Sequence, residues 1–273
     1  MQRQVCNLGD GYLAFETRGE GIPLVFIHGF SFDMRTWDPQ VEALSRYFQV
    51  VRYDLRGFGK SSMPEGPYSH VQDLRALIEF LSLSTPVLIG LSLGANIALS
   101  CALDHPRAVQ GLILASSGLP GFAWAEARPP DAAAAVAKSQ GAEYARQFWL
   151  NHPLFDAARR SPAAFARVRR MIEEYSGWHW CNKNPTAQAE LIERLSECVT
   201  PTLVMSGELD VLGYRQIAAK LSRDIPGAAL LTFSDAGHVI NEEDPTGFSV
   251  AVLEFVRKIA GSGNQRQGAQ DFD

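Results

Sequence analysis

The sequence predicts an α/β fold: a mostly parallel sheet with helices on both faces, interrupted by one helical insert. Three observations predict it. Short continuous apolar runs alternate with amphipathic segments, as strands covered on both faces alternate with crossover helices. That alternation stops between about Gly118 and Cys198, where alanine, arginine and tryptophan are frequent and no strand-like run occurs. Finally, one serine stands between two glycines in Gly90-Leu91-Ser92-Leu93-Gly94, where an apolar run gives way to a small-residue helical run. A length of 273 residues and an apolar fraction of 46% suit one large domain, or one domain carrying an insertion.

Taken in order, the predicted strands are Tyr12–Thr17, Leu24–Ile27, Val50–Tyr53, Val87–Ile89, Leu112–Ala115, Thr202–Met205 and Leu230–Phe233. The first one or two are expected as an antiparallel edge. Trp37, Val41, Leu44 and Phe48 share a helical face, as do Val71, Leu74, Ile78 and Leu81, and later Phe248, Val252, Phe255 and Ile259. The last helix should start at Asp244-Pro245, an N-cap followed by proline at the first helical position. Inside the insert, Ser161-Pro162 starts a helix with an apolar face of Phe165, Val168, Ile172 and Tyr175, ended by Gly177. Asn184-Pro185 starts another that carries Leu191 and Leu195. We expect a core of residues 1–117 and 199–262, a helical lid over 118–198, and a disordered tail over 263–273, which is polar and rich in Gly and Gln.

A net charge of −5 gives no basis for a nucleic-acid or anionic-membrane partner. The short arginine runs, Arg159-Arg160 and Arg167 to Arg170, read as solvated helix faces. Of Cys6, Cys101, Cys181 and Cys198, none forms a C-x-x-C pair, and His179 with Cys181 is too sparse for zinc. No metal is expected. Cys101 reads as a buried small hydrophobe. Met1 to Gly11 is polar without a signal-type run, and no apolar stretch reaches the roughly 20 residues that cross a bilayer. The expectation is a cytoplasmic protein with reduced thiols, acting on a small molecule.

Chemistry centres on Ser92. A strand turning sharply into a helix strains the residue at the turn, and side chains two positions away on either side would collide. Gly90 and Gly94 remove them and leave the Ser92 hydroxyl exposed at a sheet tip. A serine hydroxyl needs a base, and the base needs an orienting acid. Asp54, Asp210 and Asp235 each follow a strand-like run. Asp210 fits best, at a strand's C-terminal end, with Glu208 in reserve and a helix N-cap as its structural alternative. His238, in Ala236-Gly237-His238 between the last strand and the last helix, is the candidate base. His28 is read as bracing its loop. The oxyanion donors are expected to be the backbone amides of Leu93 and Phe30, the latter in His28-Gly29-Phe30, where glycine lets the backbone turn. Trp124, Trp149, Trp178 and Trp180 are candidates to line an apolar substrate pocket, or else to form the lid's own core.

These residues together resemble the α/β-hydrolase superfamily. The resemblance runs through His28-Gly29-Phe30, Trp37, the loop Asp54-Leu55-Arg56-Gly57-Phe58-Gly59-Lys60-Ser61 (with Phe58 where histidine is common), Gly90 to Gly94, Gly207 to Asp210, and Gly237-His238 with Glu242, Pro245 and Phe248. It implies an eight-stranded sheet, with Ser92, Asp210 and His238 as nucleophile, acid and base. Within the superfamily the chain is similar to small serine esterases, 3-oxoadipate enol-lactonases and haloperoxidase-like perhydrolases. The function implied is hydrolysis of a small carboxylic ester or lactone through an acyl-enzyme on Ser92, without a cofactor. A carbon–carbon bond hydrolase or lyase on the same triad, and a slow-turnover receptor, are the alternatives.

Overall fold

The computed structural model describes residues 2–182 and 190–267, with residues 262–267 as backbone only. Eight strands form one sheet: β1 Gln4–Asn7, β2 Tyr12–Arg18, β3 Pro23–Ile27, β4 Gln49–Tyr53, β5 Val87–Leu91, β6 Gly111–Ala115, β7 Thr202–Gly207 and β8 Ala229–Phe233. Their spatial order is β1-β2-β4-β3-β5-β6-β7-β8. β1 and β2 are antiparallel to their neighbours, and every pairing from β4 to β8 is parallel. All seven strands read from the sequence are present. The eighth, β1, was missed, because only Cys6 of its four residues is buried. It is recruited by pairing with β2 rather than by an apolar run of its own.

The helices are α1 Asp38–Leu44, α2 His70–Phe80, α3 Leu93–Asp104, α4 Pro129–Gln140, α5 Ala142–Leu150, α6 Asp156–Arg159, α7 Pro162–Glu174, α8 Trp178–Cys181, α9 Leu212–Asp224, α10 Ile240–Glu243 and α11 Pro245–Gln267. Central strands β5 and β6 are wholly buried, as their unbroken apolar runs require. The two proline-start signals operate as read. Ser161 Oγ accepts from Ala164 N at 3.3 Å, and Asp244 Oδ1 accepts from Gly247 N at 2.9 Å. Two helix ends differ from expectation. α7 stops at Glu174, and Gly177, at φ 76°, instead forms the left-handed turn into α8. α11 continues to Gln267, so residues 263–267 are helical rather than part of a disordered tail.

Between β6 and β7 the described residues contain helices only, α4 to α8 plus 3₁₀ turns. Asn184-Pro185 lies outside the described residues. Leu191 and Leu195 are buried, with Leu195 on the 3₁₀ turn Ile192–Glu197. The insert is tied to the sheet side by Arg35–Glu174 at 2.7 Å, by Arg167–Glu242 at 2.6 Å and by Trp149 Nε1 donating to Ser31 Oγ at 2.7 Å. Among the described residues, no helix is long and apolar enough to cross a membrane.

Candidate active site

Ser92 sits between β5 and α3 with φ 54° and ψ −107°. Holding a non-glycine residue at positive φ costs on the order of 1–3 kcal/mol, and the surroundings enforce it. A Cβ at Gly90 would stand 2.3 Å from Ala95 N, and one at Gly94 would stand 2.1 Å from Ile27 O. Ser92 N–H donates to Ala115 O at 2.8 Å, anchoring the turn to the end of β6. The two glycines are therefore required by backbone packing on both sides of the serine.

Asp210 and His238 are brought together from loops after β7 and β8. His238 Nδ1 lies 2.9 Å from Asp210 Oδ2, the geometry of an N–H donated to the carboxylate, and both side chains are buried. Asp210 Oδ1 accepts from Val211 N at 2.7 Å. Val211, not Asp210, occupies the N-cap of α9, so the capping alternative does not describe Asp210. The other acids stand elsewhere. Glu208 and Asp235 are exposed. Asp54 is buried and accepts from Met34 N and Lys60 N, each at 2.7 Å, as a brace between loops, and burial raises its carboxyl to about 6. Gly207 allows the acid and histidine loops to meet, since a Cβ there would stand 2.2 Å from the carbonyl oxygens of Ala236 and Gly237.

Two residues at this site were not found from the sequence. The Glu243 carboxylate accepts from Gly237 N and, at 3.3 Å, from Val239 N, so it grips the backbone on both sides of His238. Tyr214, in the first turn of α9, has its ring centroid 4.2 Å from that of His238. Burial and the Asp210 charge push its phenol upward. Asp210 and Tyr214 stand four residues apart at a helix start, the only sequence signal that could have flagged the tyrosine.

On the opposite side of Ser92, the His28 loop behaves as a brace. His28 Nδ1 donates to Gly29 O at 2.8 Å and its Nε2 accepts from Leu55 N at 2.9 Å. Burial lowers that imidazole to about 4, so it stays neutral. The left-handed residue in this loop is Ser31, at φ 64°, while Gly29 lies outside that region. Gly29 is instead needed for close packing, because a Cβ would lie 3.4 Å from Leu91 O. Among the described residues, neither Phe30 N–H nor Leu93 N–H donates to a protein acceptor. The Leu93 amide opens α3 and has no intrahelical partner.

The sequence profile of the alpha/beta hydrolase family matches residues 24–251. The chain belongs to the alpha/beta hydrolase family. The hydrolase is 27% identical over 259 residues to the pimeloyl-[acyl-carrier protein] methyl ester esterase of Vibrio campbellii, covering 89% of this chain and 98% of that one. Its structure is similar to the enol-lactonase of Burkholderia xenovorans LB400, with TM-score 0.82, 26% identity, and coverage of 93% and 100%. It is also similar to a thermophilic esterase of Thermogutta terrifontis, with TM-score 0.79, 26% identity, and coverage of 95% and 99%.

The four tryptophans of the insert occupy different places in the hydrolase. Trp124 meets Tyr214 edge-on at 5.0 Å. Trp149 and Trp180 are nearly fully buried and pack on Phe30 at 6.0 and 6.2 Å. Trp178 packs on His179 at 4.8 Å. The arginines of the insert are largely neutralised. Arg128, Arg146, Arg159, Arg167, Arg169, Arg170 and Arg194 each pair with a carboxylate.

His179, read from the sequence only as half of a His–Cys pair too sparse for zinc, is the hub of the insert's docking. It stacks on Phe58 at 4.2 Å and 12°. Its Nε2 lies 2.9 Å from Tyr68 Oη and its Nδ1 lies 3.0 Å from Tyr175 Oη. Gly57 makes room, since a Cβ there would stand 2.6 Å from the imidazole. An aromatic ring at position 58 therefore serves the stack. Burial lowers His179 to about 3, whereas the unfolded chain titrates near pH 6.5. Between those values only the unfolded state binds the proton, so this group's share of stability is full above pH 6.5 and is lost as pH falls toward 3. The pH dependence of unfolding free energy below pH 6.5 should lose about one proton of slope in His179→Gln. An unchanged slope in urea titrations at pH 4.5 to 7 would show that His179 is not held neutral.

Proposed function

We propose that this alpha/beta hydrolase cleaves a small carboxylic ester or lactone through an acyl-enzyme on Ser92. The observation that carries the reading is the buried Asp210–His238 pair, 2.9 Å apart, on loops that leave the same edge of the parallel sheet as a serine held at φ 54°. In this mechanism His238 Nε2 takes the Ser92 proton as Oγ attacks the acyl carbon. Asp210 fixes the imidazole tautomer and favours its charged form. The amides of Phe30 and Leu93 hold the oxyanion, being free donors that need no rearrangement. The alcohol leaves with the proton from His238, and water then enters by the reverse route.

Residues 118–198 act in this reading as a cap, with Trp124, Trp149 and Trp180 as apolar walls. Ser92 keeps 9% of its surface exposed and His238 only 3%, which favours compact acyl groups. The relatives that are ester and lactone hydrolases support the same chemistry. A fluorophosphonate probe should form one adduct, mapped to Ser92, and a short chromogenic ester should turn over at about 1 per second or faster. A protein that takes up no probe at Ser92 and turns over no short ester or lactone would overturn the reading.

A further inference from the structure

Serine is an unfavourable residue for position 31. Phe32 N donates to Gly29 O at 3.3 Å and closes a four-residue turn in which Ser31 is third. Ser31 has φ 64°, in the left-handed region, whereas Phe30 just before it lies outside that region. A turn of this pattern normally takes glycine at its third position, and any side chain there strains the backbone. What serine adds over glycine is one hydroxyl. Ser31 is fully buried, and that hydroxyl accepts from Trp149 Nε1 at 2.7 Å. Trp149 lies on α5 of the insert, 118 residues along the chain. The same indole packs edge-on against the Phe30 ring, at 6.0 Å and 83°. On its other side the turn abuts the end of β5, where a Cβ on Gly29 would stand 3.4 Å from Leu91 O. Phe30 is thus part of a strained turn held between the serine elbow and the insert.

We propose that Trp149 is a positioning residue for the reaction. By holding Ser31 Oγ it keeps the strained turn in the form that aims the Phe30 amide at the developing oxyanion. Trp149 does not touch the reacting atoms. It acts through two consecutive residues, gripping Ser31 by its N–H and Phe30 by its ring. Without the grip the turn relaxes toward an unstrained backbone, and the Phe30 N–H swings out of line. A misaligned donor is a weak one, and the loss falls on the transition state, where the charge on oxygen is largest. Seating of the insert and completion of the oxyanion site are then a single event. The inference rests on the acyl-enzyme reading above.

Backbone strain separates the variants. Ser31→Ala keeps the strain and loses the tie, whereas Ser31→Gly loses both, because glycine takes positive φ freely. Trp149→Phe keeps an aromatic ring against Phe30 and removes the N–H. With a short chromogenic ester, Ser31→Ala and Trp149→Phe should each lower kcat about tenfold, with KM within about twofold. Ser31→Gly should recover most of what Ser31→Ala loses. The tenfold cost of Trp149→Phe should shrink to about twofold when it is made in Ser31→Gly. Inhibition by a short alkylboronic acid, whose tetrahedral serine adduct presents an oxygen to the oxyanion donors, should weaken in step with kcat. A tryptophan that only packed the insert would cost the same in both backgrounds. If Trp149→Phe does not fold, Ser31→Ala against Ser31→Gly decides. Wild-type kcat in Ser31→Ala, or an equal cost of Trp149→Phe in both backgrounds, would overturn the assignment alone, provided that a fluorophosphonate labels Ser92 in the wild type. Wild-type protein that no fluorophosphonate labels at Ser92 would remove the acyl-enzyme reading and this inference with it.

Discussion

Ser92→Ala is expected to lower ester kcat by about 10⁴-fold or more, the size of loss seen when a nucleophile that works as a unit with its base is removed. The fold should barely register the change. Alanine at φ 54° carries the same backbone strain as serine, and the backbone bond to Ala115 O does not involve the side chain. Ser92→Gly separates the two effects. It should be equally inactive, yet more stable than Ser92→Ala by about 1 kcal/mol, because glycine adopts positive φ freely. Urea unfolding with ester assays checks both halves. Substantial turnover in either variant would place the nucleophile elsewhere.

The largest expected loss of stability is Gly94→Ala, at about 3 kcal/mol or more. A Cβ there would meet Ile27 O at 2.1 Å, Ile27 C at 2.6 Å and His28 O at 2.8 Å. All are backbone atoms of β3 and the loop after it, so no side chain can swing away. Helix propensity runs the other way, since alanine is better than glycine by about 1 kcal/mol inside a helix, but an overlap of this depth outweighs it. The displaced segment leads directly into Phe30, so activity should fall with stability. Gly66→Ala is the matched control, with nothing within 4 Å and an expected change within about 0.5 kcal/mol. A Gly94→Ala protein of wild-type stability would mean that the elbow is looser than its geometry.

The sheet and the elbow were legible because they depend on local pattern. Continuous apolar runs mark buried strands, and a Gly-x-Ser-x-Gly turn leaves its own imprint. β1 was illegible, because Gln4, Val5 and Asn7 are exposed and pairing alone defines the strand. The choice among Asp54, Asp210 and Asp235 rested on position along the chain, and of the three it is Asp210 whose carboxylate meets His238 Nδ1. Glu243 and Tyr214 were out of reach for another reason. Their importance lies in where a side chain points after distant loops have closed. Likewise the role of His179 was hidden because two of its partners, Phe58 and Tyr68, are more than a hundred residues away. The left-handed Ser31 carried no glycine to announce it.

The insertion between β6 and β7 also sets an order of events during synthesis. β6 pairs with β7 along Leu112–Ala115 and Thr202–Met205, although the whole helical segment separates them. While the nascent chain is still emerging, the apolar flank of β6 waits without its neighbour. Only when residue 202 and those after it leave the ribosome can that rim be covered. The same late segment brings the carboxylate and the imidazole. That buried pair and protection from misassociation therefore arrive together, once this segment has emerged.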